Sequence, residues 1–112
     1  MEKGVPRKPV EVSDKFKASR AQIYDYTFDT FGYFQAERYL QTIEKTLDSL
    51  YDRYLVYPEC RYIVTKSRMY RNIILDAHLI IYRITNERIE VLDIIHAASS
   101  IGKIRNTRKI RL

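Results

Sequence analysis

What this 112-residue sequence has little of narrows the reading first. A single cysteine, Cys60, cannot close an internal disulfide, so a reducing cytoplasm is the expected compartment. Three glycines and three prolines leave no long flexible linker, and the length suits one domain rather than two. No apolar run approaches the roughly 20 residues that span a bilayer, so no membrane partner is expected. Residues 1–9 are polar and basic and lack the apolar stretch of a secretory signal. There is no GxSxG, P-loop, GxGxxG or HExxH, which argues against a small-molecule enzyme. The only histidines, His78 and His96, lie far apart in sequence without cysteine or carboxylate at ligand spacing. Neither a metal nor another cofactor is expected.

Charge, by contrast, is plentiful and unevenly placed. The net charge is +6. Residues 1–9 carry Lys3, Arg7 and Lys8 against Glu2, a sum of +2, and residues 97–112 carry Lys103, Arg105, Arg108, Lys109 and Arg111 with no acid, a sum of +5. The body between them is nearly neutral. Basic ends suit an acidic partner, either nucleic acid or protein. Three parts are expected: a basic, disordered start over 1–9, a domain over 10–98, and a basic C-terminal tail over 99–112.

The periodicities order the elements. Val10, Glu11 and Val12 alternate as a short strand with Pro9 at its entry. Ser13 and Asp14 supply an N-cap and a first-turn acid for a helix to Phe31, whose buried face would hold Phe16, Ile23, Tyr26, Thr27 and Phe31. Gly32 is the natural residue to end it. Ala36, Tyr39, Leu40, Ile43, Leu47, Leu50, Tyr51 and Tyr54 then step by three and four as the apolar stripe of a second helix. After Pro58 the period becomes two, with strands over 71–75, 78–84 and 88–96 joined by short turns into an antiparallel meander. The architecture predicted is α+β, in the order β-α-α-β-β-β, with a helical hairpin packed on a mostly antiparallel sheet.

Few residues carry chemistry. Cys60 beside Arg61 reads as a surface cysteine near a helix end rather than as a nucleophile. The loop from 60 to 71 holds Arg61, Lys66, Arg68 and Arg71 with Tyr62 and Tyr70 and no acid, a mixture that suits phosphates, stacked bases or an acidic peptide. Arg83, inside a strand beside Tyr82, needs a partner, and Asp93 on the next strand is the candidate.

Two blocks carry a family resemblance. Ile23-Tyr24-Asp25-Tyr26, Gly32 and Ala36-Glu37-Arg38-Tyr39-Leu40 form the first, and His78-Leu79-Ile80-Ile81-Tyr82-Arg83-Ile84, Arg88-Ile89-Glu90-Val91-Leu92 and Ile94-Ile95-His96 the second. Together they resemble the RelE/ParE toxin superfamily of type II toxin–antitoxin modules, closer to the ParE, plasmid-stabilisation branch. The resemblance spans about residues 10–98 and implies a cytoplasmic toxin neutralised by a ParD/RelB-like antitoxin that covers apolar surface of the hairpin and sheet. RelE-type members, ribosome-dependent nucleases that cut mRNA, tend to carry arginines where His78 and Ala98 stand and a tyrosine near Ile104. Those groups are missing here, so the resemblance implies a ParE-type role, binding DNA gyrase without chemistry of its own. The target contact would be Lys103, Arg105, Arg108, Lys109 and Arg111, and Arg71, Tyr82 and Arg83 would meet the antitoxin. In the alternative, RelE-like reading the partners are ribosome and mRNA, and the catalytic set is drawn from His78, His96, Arg61, Lys66, Arg68 and Arg71. A third possibility is a non-toxic, antitoxin-binding homologue.

Overall fold

A computed structural model describes residues 5–112. Strand β1 (Val10–Val12) leads into helix α1 (Asp14–Phe31) and helix α2 (Tyr33–Arg53), followed by strands β2 (Tyr70–Leu75), β3 (His78–Ile84) and β4 (Ile89–His96), helix α3 (Ile101–Asn106) and a 3-10 turn (Thr107–Lys109). The sheet order is β1-β4-β3-β2. The meander is antiparallel, whereas β1 lies parallel to β4, with Val10 opposite Ile89. The chain returns from β1 to the meander through the helical hairpin, the long crossover that parallel pairing requires. The α+β architecture and the order of the first six elements agree with the periodicities, and α3 is an addition to them.

Ser13 joins α1 to the sheet. Its Oγ accepts the Phe16 N–H at 2.9 Å as the helix cap and donates to the Leu92 carbonyl, while its own N–H donates to Val91. Gly32 both ends α1 and begins α2: its N–H donates to the Phe28 carbonyl and its carbonyl accepts from the Ala36 N–H. Its φ of +92° with ψ of 175° lies in a region essentially reserved for glycine.

Strand β4 is buried along nearly its whole length because both sheet faces are covered. On one face, Ile73, Ile80, Tyr82, Ile89, Val91 and Ile94 pack against Phe16, Ile43, Leu47 and Leu50 of the hairpin. On the other, Ile81, Leu92 and Ile95 meet Cys60, Ile63 and Ile104. A bulge between Ile81 and Tyr82 shifts the β3–β4 register at Leu92.

Several expectations are corrected. Tyr26 and Phe31 are each 65% exposed, because the outer half of α1 projects past the sheet with nothing beneath that face. Tyr51 is likewise exposed. Cys60 is buried, since the second sheet face needs a cover that the hairpin cannot supply. Of the expected disordered start, residues 1–4 lie outside the described residues. Residues 5–9 are held: the Pro6 carbonyl accepts from the Tyr54 hydroxyl, the Lys8 N–H donates to Tyr51, and the Lys8 ammonium reaches the Thr85 carbonyl. In the C-terminal segment, Ile104 and Thr107 are buried.

Candidate functional site

The C-terminal element is built on an apolar anchor and a buried arginine. Ser100 caps α3 by accepting the Lys103 N–H at 3.2 Å, and Ile104 enters the second core beside Ile81, Leu92 and Ile95. Thr107 Oγ1 donates to the Ile104 carbonyl and closes the helix. Arg83 reaches up from β3 and donates to the Arg108 carbonyl at 3.2 Å and the Ile110 carbonyl at 3.1 Å. Anchored in this way, the element leaves the side chains of Lys103, Arg105, Arg108, Lys109 and Arg111 exposed to solvent. Arg105 also donates to the Tyr62 carbonyl, and Arg61 stacks over the Tyr62 ring at 5.4 Å, so part of the basic loop joins the cationic face.

Arg83 pairs with Glu90 rather than Asp93. The Thr85 side chain and backbone bond to Arg88 and fix a tight turn, and that turn sets Arg83 opposite Glu90 and Ile81 opposite Asp93. The Arg83 Nη2 to Glu90 distance is 2.6 Å, and Arg88 donates to the second carboxylate oxygen at 2.8 Å. Burial alone would raise the Glu90 pKa, but the hydrogen bonds from Arg83 and Arg88 outweigh it and hold the carboxyl below its ordinary range. Burial pulls Arg83 downward, and its bonds to Tyr70 and Glu90 more than restore it. Arg83 and Tyr82, two of the residues expected to meet an antitoxin, are both buried. Tyr82 donates to the Tyr54 carbonyl. Arg71 is partly exposed, but its guanidinium already donates to the carbonyls of Tyr57 and Arg68.

The histidines meet across the sheet. His78 and His96 are paired on β3 and β4 with ring centroids 5.8 Å apart. Tyr39 Oη lies 2.8 Å from His78 Nδ1 and 3.3 Å from the Leu75 carbonyl. The single hydroxyl hydrogen serves either the Leu75 carbonyl or Nδ1, so the His78 tautomer sets the direction of the Tyr39–His78 bond. Burial and the neighbouring His96 lower the His78 pKa, against an opposing pull from Asp76. Burial pushes the Tyr39 hydroxyl up to about 12, so it stays protonated at neutral pH. Lys15, Lys103 and the buried Asp93 join the two histidines around a hollow of about 220 Å³. Tyr39 was assigned to the core by its place on the helical stripe, and no local signal ties it to His78.

The nuclease set drawn from the sequence is not gathered. Arg68 and Arg71 share a hollow with Lys8 and Thr85 at one end of β3, while His78 stands at the other. Tyr82, opposite Arg71, is four residues from His78, about 13 Å along a strand. Lys66 stands exposed on the same loop, and Arg61 belongs with Arg105. Among the described residues no group of three His, Cys, Asp or Glu is placed to hold a metal ion, and no helix is long and apolar enough to cross a membrane.

Over residues 10–101 the sequence matches a family model described as the ParE toxin of the type II toxin–antitoxin system parDE. Among solved structures it is similar to a chain of the chromosomal ParDE TA system from P. aeruginosa, with a TM-score of 0.66 and 17% identity, covering 80% of this chain and 96% of that one. At that identity the likeness is one of fold. No curated protein matches the sequence.

Proposed function

Since the chain belongs to the ParE toxin family of type II toxin–antitoxin modules, we propose that it acts as a ParE-like toxin that binds DNA gyrase through its C-terminal cations and is neutralised by a cognate ParD/RelB-like antitoxin. One observation carries the reading. Lys103, Arg105, Arg108, Lys109 and Arg111 stand exposed on an element that the buried Ile104 and Arg83 hold in place. A fixed array of cations loses less entropy on meeting an acidic protein surface or DNA phosphate than a flexible tail does. An antitoxin segment rich in acids would be drawn to the same face.

A RelE-like reading, cleavage of ribosome-bound mRNA, has one feature in its favour. His78 lies against His96 and shares a hollow with Lys103, an imidazole able to act as a base with two further groups able to hold a phosphate.

The test is precursor labelling in bacteria after inducing the chain without its antitoxin. Loss of thymidine incorporation in the first minutes with methionine incorporation intact is the expected result. Early loss of methionine incorporation, with new mRNA 5′ ends, would replace it with the nuclease reading. Uninterrupted growth would leave an antitoxin-binding homologue without toxicity.

A further inference from the structure

The tip of the helical hairpin carries chemistry opposite to that of the C-terminal element. Tyr26, Phe28, Phe31, Tyr33 and Phe34 are all exposed there, Phe34 at 80%. Three of the rings are in contact: Phe28 meets Tyr33 edge-on with centroids 6.5 Å apart, and Tyr33 meets Phe34 at 5.5 Å. Apolar residues scattered singly on a surface need no explanation, whereas a contiguous aromatic platform marks an interaction site. Its rim is acidic. Asp25, Asp29 and Glu37 are the only charged residues between positions 21 and 37, in a chain whose net charge is +6. Of the flanking cations, Arg20 is paired with Glu44 at 2.9 Å and, with Lys17, borders a hollow shared with Asp25 and Glu37, whereas Arg38 borders a hollow with Tyr39, Leu75 and Asp76.

We infer that the hairpin tip is a docking surface for a basic segment of a protein partner, one that presents arginine or lysine beside apolar side chains. Aromatic faces attract guanidinium and ammonium groups, and the rim carboxylates supply charged partners for them. The same acids repel nucleic acid and anionic bilayers. Two copies meeting tip to tip would set like charges against each other. An acidic segment of the kind the C-terminal cations attract is rejected here too, so the molecule offers two faces selecting partners of opposite charge. The inference concerns a surface that takes no part in the proposed gyrase contact.

The test is an amide NMR titration of the labelled chain with two short synthetic peptides, one alternating arginine and leucine, the other glutamate and leucine. The arginine peptide is expected to shift amides within residues 24–37, and the glutamate peptide to leave them unmoved. Phe31→Ser with Phe34→Ser should weaken the arginine peptide by roughly tenfold, as loss of aromatic anchors does. Asp25→Asn with Asp29→Asn, which leaves every ring in place, should weaken it several-fold and flatten its salt dependence. An equal response to both peptides, or no shift within 24–37, overturns the inference. Self-association in sedimentation that disappears in the phenylalanine variant would also overturn it, by assigning the tip to a second copy of the chain.

Discussion

Arg83 on β3 and Glu90 on β4 face each other across the sheet at 2.6 Å, and the same guanidinium holds the carbonyls of Arg108 and Ile110. One buried ion pair therefore links the β3–β4 hairpin to the element that bears the exposed cations. Glu90→Gln would leave Arg83 buried with its charge uncompensated, which typically costs about 3–5 kcal/mol. Because Tyr70 and the carbonyls of Arg108 and Ile110 still accept from Arg83, a loss near the lower end is expected in urea unfolding. Proteolysis should release the C-terminal residues faster than in the parent chain, and an unchanged cleavage rate would show that Ile104 alone holds the element.

The same pair sets an acid limit. Glu90 has a pKa held below the ordinary glutamate range in the folded chain. A depressed carboxyl contributes stability that is complete above the unfolded value and is lost as pH falls through the folded one. Unfolding followed from pH 7 downward should keep the whole Glu90 contribution until pH drops below the usual glutamate value of about 4.5, and lose it below that. Glu90→Gln should flatten that limb of the profile, and identical profiles for the two proteins would contradict the assignment.

Gly32→Ala tests the hairpin turn. A Cβ at this position meets nothing within 4 Å, so any cost comes from the backbone alone. With φ at +92° and ψ at 175°, a loss of about 1–3 kcal/mol is expected, with no change in the sheet. A neutral result in denaturant titration would mean that the turn relaxes freely.

Ser13→Ala removes the α1 cap and leaves the Leu92 carbonyl without its hydroxyl donor. Caps of this type are worth about 1 kcal/mol, and an unpaired buried acceptor adds a similar penalty, so a loss of about 2 kcal/mol is expected. Hydrogen exchange should quicken at the start of α1 and at the β4 bulge together, since one side chain serves both.

Replacing Arg105, Arg108, Lys109 and Arg111 by Ala together should abolish toxicity with the melting temperature nearly unchanged. Arg83 binds the carbonyl of Arg108 and not its side chain, so the anchor survives the change. His78→Asn with His96→Asn should retain toxicity under the gyrase reading. Growth arrest that depends on the histidines and not on the cations would reverse the functional conclusion.

By itself the sequence determined the first six elements and their order, because each rests on local physics. The three-and-four spacing from Ala36 to Leu50 admits only an amphipathic helix against a core, Gly32 permits a turn that a side chain would strain, and the β-branched runs after Pro58 alternate as strands. The positions of the C-terminal cations were legible for the same reason. Tertiary structure decided which contacts those residues make. Register follows from a turn whose bonds run from Thr85 to Arg88, so Glu90 and not Asp93 met Arg83. Burial depends on what lies beneath each helix face, so Tyr26 and Phe31 emerged while Cys60 sank. Tyr39 joined His78, and Arg68 and Arg71 of the basic loop came to lie at the end of the sheet away from His78, because strand pairing brings together residues distant in sequence and separates others. The aromatic, acid-rimmed tip belongs to the same class: its residues are plain in the sequence, and only the projection of α1 beyond the sheet leaves them facing solvent.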